Sequence, residues 1–135
     1  MKALLAGWCA ALVSFLLADG LWIGFVARSF YRQKIGHLMS DQVQWWAVAI
    51  FYPLFVTALL VFVIQPALQS QASLLRVLGL GALFGGVAYA AYDLTNQATL
   101  KNWPISMTLV DMAWGACVAA LTAVVGVLVA RAVKG

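Results

Sequence analysis

Charge is what this sequence has least of. Only 9% of its 135 residues are charged, glutamate is absent altogether, and the acidic complement is four aspartates. A chain that is 65% hydrophobic, with a mean hydropathy of +0.98, has too little polar surface to cover itself in water, which excludes an ordinary soluble domain. Cysteine is nearly missing too. Cys9 and Cys117 lie within apolar runs, so neither a disulfide framework nor a CxxC metal site is expected. The one histidine, His37, falls in a connection, and no HxxxH or ExxH spacing occurs. No metal centre is therefore expected. A Gly-rich phosphate loop, a GxSxG elbow and a lysine within an apolar run are all lacking, and no cofactor is expected.

The net charge of +4 does not point to nucleic acid, because the eight basic residues are scattered at the ends of apolar runs rather than gathered in a stripe. That distribution is how membrane helices are flanked, and it makes the lipid bilayer the expected partner. Crossing roughly 30 Å of hydrocarbon at 1.5 Å per residue takes about 20 apolar residues. Four stretches qualify: residues 3–27, 45–64, 74–94 and 105–130. The first has the basic start and apolar run of a secretory signal, but the run resumes after Asp19 and continues to Ala27, as expected of a retained span. Residues 1–135 thus read as a single domain, an all-α, integral membrane four-helix bundle with short loops.

Punctuation agrees with these limits. Pro66 is expected to end the second span, Pro104 to open the fourth, and Pro53 to kink the second; Trp45, Trp46 and Trp103 sit at belt positions. The longest connection, residues 28–44, alternates Phe30, Tyr31, Ile35 and Leu38 with Arg32, Lys34 and His37. It reads either as an interfacial amphipathic segment or as a solvated loop. Orientation is almost balanced: Lys2, Arg76, Arg131 and Lys134 flank one side, and Arg28, Arg32, Lys34 and Lys101 the other. The first span, with more basic residues after it than before it, favours termini outside the cytoplasm.

Against this scarcity of charge, three of the four aspartates, Asp19, Asp93 and Asp111, fall within or at the margin of the spans. An ionisable group at membrane depth is functional by default unless its partners explain it. Asp19 lies nine residues before Arg28, Asp93 eight before Lys101, and Asp111 seven after Pro104, so helical rise puts each roughly 10 to 14 Å from one membrane face. Tyr52, seven residues after Trp45, joins that depth. Ala82, Gly86, Tyr89, Asp93 and Asn96 follow helical spacing in the third span, and Thr108, Asp111, Gly115, Ala119, Thr122 and Gly126 do so in the fourth. Gly20 with Gly24 and Gly81 with Gly85 add small-xxx-small pairs suited to close helix approach.

Three carboxylates in one low-dielectric layer repel one another and must be satisfied. They are either hydrogen-bonded by Tyr52, Tyr89, Thr95, Asn96, Trp22 and Trp114 in a structural cluster, or part of a working site for a proton, cation or lipid head group, or completed in a homodimer or larger membrane complex. An aspartate acting on lipid as general acid or base, with Arg28, Arg32, Lys34 and Lys101 holding a phosphate, is the enzymatic alternative.

The runs Asp19-Gly-Leu-Trp22-Ile-Gly24, Phe51-Tyr52, Tyr89-Ala-Ala-Tyr92-Asp93-Leu94-Thr95-Asn96 and Asp111-Met-Ala-Trp114-Gly115 together resemble the bacterial membrane proteins grouped as domain of unknown function 2177. The likeness extends over nearly the whole chain. It implies a small multi-pass protein of the bacterial inner membrane and carries no established activity.

Overall fold

Long apolar runs with no water to bind their backbone must close their own hydrogen bonds, and every span of this chain does so as a helix. The computed structural model describes residues 1–135. Helix α1 runs over Lys2–Val26, α2 over Arg28–Ile35, α3 over Trp45–Gln69, α4 over Leu74–Thr99 and α5 over Ile105–Lys134. There are no strands, and four helices are long and apolar enough to cross a membrane.

The third and fourth spans run further than the hydropathy pattern indicated, by about a turn at their C-terminal ends. Pro66 does not end the second. The turn before it, Leu60–Ile64, is widened so that the Gln65 N–H bonds back to the Leu60 carbonyl. Pro66 then begins a fresh turn, at the stage of a helix where a missing N–H is harmless. Pro53 lies within α3 without terminating it. Helix α4 opens where the Ser73 hydroxyl accepts from the Arg76 N–H. Gln71 and Asn102 take left-handed backbone in the two tight connections. The long connection is ordered: α2 is a true helix, followed by a single tighter turn over Gly36–Leu38.

Helix α5 is the centre post. It packs along α4 on one side and α1 on the other. Its stripe of Thr108, Asp111, Gly115, Ala119, Thr122 and Gly126 is buried throughout, as its small-residue spacing predicts. In lipid such packing rests on dispersion between closely fitted surfaces, which small residues permit. On α4 the buried stripe is Gly81, Gly85 and Asp93, one position away from the Ala82 and Gly86 face that spacing suggested. A Cβ on Gly85 would lie 2.1 Å from the Gly115 carbonyl oxygen, whereas one on Gly86 would make only an ordinary 3.7 Å contact. Gly7 meets the Gly126 carbonyl in the same manner, at 2.8 Å. The Gly20 and Gly24 pair packs against nothing: no atom lies within 4 Å of either Cβ position.

Helix α3 leans on α1 and reaches α4 chiefly through the Leu60–Ile64 turn. An indole bond from Trp8 Nε1 to Thr57 Oγ1 at 3.0 Å ties α1 to α3. Arg131 donates to the Ala72 carbonyl at 2.6 Å and so fixes the α3–α4 connection to the end of α5. Toward the other face α3 and α4 part, and aromatic rings bridge the gap: Phe55 lies 5.4 Å from Phe84 and 6.4 Å from Tyr89, centroid to centroid. Phe15 fills the middle, 4.8 Å from Phe55. This divergence sets up the site.

Candidate functional site

Two hydrogen-bonded arms organise the polar layer. In the first, Asp19 of α1 accepts from the Tyr52 hydroxyl of α3 on one oxygen and from Trp114 Nε1 of α5, at 2.8 Å, on the other. In the second, Trp22 Nε1 donates to the Tyr31 hydroxyl at 2.8 Å, and that hydroxyl donates to Asp111 Oδ1 at 2.9 Å. The arms meet where the Trp22 and Trp114 indoles stack, 4.4 Å apart and 4° from parallel. A widened turn over Trp22–Val26, closed by an Ala27 N–H bond to the Trp22 carbonyl at 2.7 Å, ends α1 just where Trp22 enters this stack. Such turns commonly mark functional sites.

Tyr31 is the residue that sequence reasoning missed. It sits on α2, outside the spans, and is the only buried residue of that helix. Burial, and then the neighbouring Asp111 carboxylate, push its phenol above the ordinary range, so it remains a hydrogen-bond donor. Its place on the apolar side of an amphipathic segment was readable from spacing, but nothing in the chain indicated that this side turns into the bundle. Also missed was a lid over α4 and α5: Trp103 Nε1 donates to Thr108 Oγ1 at 3.0 Å, and Thr108 in turn donates to Gln97 Oε1 at 3.0 Å.

Asp93 lies beneath this lid, fully buried, and its carbonyl is 3.5 Å from the Thr108 hydroxyl. Its carboxyl group is beside that of Asp111, yet neither oxygen has a hydrogen-bond donor in the chain. Buried polar atoms without partners are rare enough to require a reason. The layer thus brings together Asp19, Trp22, Tyr52, Asp93, Asp111 and Trp114, with Tyr89 among them, facing both Asp19 and Asp111. Asn96 is half-buried near Tyr92. Thr95 is exposed and donates to carbonyls of its own helix, Ala91 and Tyr92, so it stands apart from the layer.

A cavity of about 540 Å³ opens beside the layer, in the gap between α3 and α4. Thirteen of its 15 lining residues are hydrophobic; Ala47, Val48, Phe51 and Phe55 wall it on α3, Ala88, Tyr89 and Tyr92 on α4, and Ile35 and Met39 roof it. Its ionisable lining is Asp19 and Asp111 with the hydroxyls of Tyr31, Tyr52, Tyr89 and Tyr92, and no basic residue touches it. Arg28, Arg32 and Lys101 are exposed and Lys34 is half-exposed. Arg32 lines a separate depression with Asp41.

Four helices long and apolar enough to cross a membrane, with Asp19, Asp93 and Asp111 buried among them, define a small multi-pass membrane protein. The chain belongs to the family described as predicted membrane protein (DUF2177), whose model matches residues 4–128. No curated protein and no solved structure matches it.

Proposed function

We propose that this protein binds an amphiphile of the bilayer, drawn in sideways between α3 and α4, with its polar end received at Asp19, Asp111 and the tyrosine hydroxyls. The observation that carries the reading is the cavity itself: apolar walls along two parted helices, with Asp19 and Asp111 as the only carboxylates that line it. An ion alone would need polar walls, and a purely apolar guest would leave the carboxylates unanswered. A molecule with a tail and a polar head answers both. The setting is the inner membrane of a bacterium. One copy suffices for binding, and transport of the guest would call for a homodimer.

The Tyr52–Asp19 hydrogen bond at the cavity wall favours a second reading, in which this pair exchanges protons with a bound lipid as general acid and base. Turnover of the bound amphiphile would distinguish the enzyme from the binding protein.

The test is thermal unfolding of the purified protein in maltoside micelles containing added dodecyl amphiphiles. Two substitutions fill the cavity from opposite walls, Ala47→Trp on α3 and Ala88→Phe on α4. Stabilisation of the parent protein that both variants lose supports the reading. Equal stabilisation of parent and plugged variants means that the added molecules act on the micelle, and the reading fails.

A further inference from the structure

Behind the wall of the proposed amphiphile site lies a charge problem that the surrounding residues do not solve, because Asp93, which does not itself line the cavity, stands beside Asp111, which does; that problem identifies the head group. The titratable groups around the layer come from every helix of the bundle: Asp19 of α1, Tyr31 of α2, Tyr52 of α3, Tyr89, Tyr92 and Asp93 of α4, and Asp111 of α5. None is cationic. Asp19 is answered by two donors and Asp111 by one, which leaves Asp93 fully buried with two unanswered oxygens beside a second carboxyl group. Two neighbouring carboxylates without donors or cations cannot both stay ionised out of water. One proton between them removes the conflict while the cavity holds no cation.

The wall supplies the complementary half of the argument. Six of the 15 lining residues are aromatic: Tyr31, Phe51, Tyr52, Phe55, Tyr89 and Tyr92. Aromatic faces beside carboxylates attract a diffuse, weakly hydrated cation, whose alkyl groups also suit apolar walls. A phosphate head would instead meet two carboxylates and no donor cation. Resting on the cavity reading above, we propose that the site takes an amphiphile with an alkylated ammonium head, and that the head exchanges with a proton held between Asp93 and Asp111. On binding, the ammonium sits beside Asp111, the pair's shared proton leaves to water, and both carboxylates stand ionised against the new positive charge. No covalent bond to carbon forms or breaks. The net charge of the pair with its guest is the same before and after, because one positive charge enters as one leaves.

Dodecyltrimethylammonium is the probe, since it carries no proton of its own. Dodecyl phosphate and dodecanol share its tail. In maltoside micelles, dodecyltrimethylammonium is expected to bind the parent protein at least roughly tenfold more tightly than either comparison compound, with affinity rising with pH because binding releases a proton. Proton release, read with an indicator dye in weak buffer, is expected to accompany binding. Asp93→Asn keeps the shape, and its amide can donate to Asp111, so this variant is expected to fold, to keep binding the ammonium probe, and to lose both the proton release and the pH slope. Asp111→Asn is expected to lose the preference for the cation. If all three compounds stabilise the parent alike and plugging the cavity abolishes this, the amphiphile reading stands and the ammonium proposal is overturned. A cation preference without proton release, or with release unchanged in Asp93→Asn, overturns the exchange. If no compound distinguishes the parent from the plugged variants, the amphiphile reading itself is lost.

Discussion

Substituting Gly85 by alanine places one methyl group where two helix backbones already touch. The new Cβ would lie 2.1 Å from the Gly115 carbonyl oxygen, 2.4 Å from the Ala119 Cβ and 2.9 Å from the Gly115 carbonyl carbon. Neither carbonyl atom can swing aside as a long side chain can, so α4 and α5 must move apart by roughly 1 Å to restore ordinary contact. A gap of that size forfeits about half of each dispersion contact along the seam, at about 0.1 kcal/mol or less per atom pair. Over some tens of pairs the loss is about 3 kcal/mol, within the upper range for overpacked cores. Alanine's better helix propensity returns about 1 kcal/mol, leaving a net loss of about 2 kcal/mol. The same exchange at Gly20, where no atom lies within 4 Å of the Cβ position, is expected to be neutral or to stabilise by up to about 1 kcal/mol. Reversible unfolding in mixed dodecyl sulfate and maltoside micelles measures both. If Gly85→Ala proves as stable as Gly20→Ala, the claim that α4 and α5 are held by backbone-close packing is refuted.

Three further outcomes follow from the same geometry. At Gly115 a Cβ would lie 2.2 Å from Cγ of Tyr89, the root of the ring, which turning the ring does not move, so Gly115→Ala is expected to destabilise about as much as Gly85→Ala. It should also displace Tyr89 from the cavity wall and weaken amphiphile-induced stabilisation severalfold in thermal unfolding. Thr122 is fully buried with an unpartnered hydroxyl, so Thr122→Val, which keeps the shape and removes the orphan, is expected to stabilise by about 1 kcal/mol in the same unfolding assay. Tyr31→Phe deprives Asp111 Oδ1 of its donor and Trp22 Nε1 of its acceptor, and a loss of about 2 kcal/mol is expected, with unchanged stability counting against the second arm of the layer.

Much of this protein can be read along the chain because a bilayer imposes one-dimensional rules. A span must be long, apolar and helical, so Lys2–Val26, Trp45–Gln69, Leu74–Thr99 and Ile105–Lys134 were legible to within about a turn or two. Depth follows from residue rise, which is why counting to Arg28, Lys101 and Pro104 put Asp19, Asp93 and Asp111 in one layer. The stripe on α5 was legible because nearly every member is small, a pattern with few uses in lipid other than close packing.

Rotation, partnership and sealing could not be read in that way. Spacing alone did not distinguish the Gly86 face of α4 from the Gly85 face, since the two differ by a single residue, and only the approach of Gly115 selects between them. Gly20 and Gly24 carry the same small-xxx-small signature as Gly81 and Gly85 yet meet no neighbour, because a packing motif acts only where a second helix arrives. Tyr31 enters the layer through the turn of a helix outside the membrane, and the cavity exists because α3 and α4 part beyond the Leu60–Ile64 turn. Composition determined that carboxylates would be buried in a membrane bundle. Only the tertiary structure decided which were answered by hydrogen bonds and which, like Asp93, were left without a donor, because hydrogen bonding depends on side chains brought together from different helices.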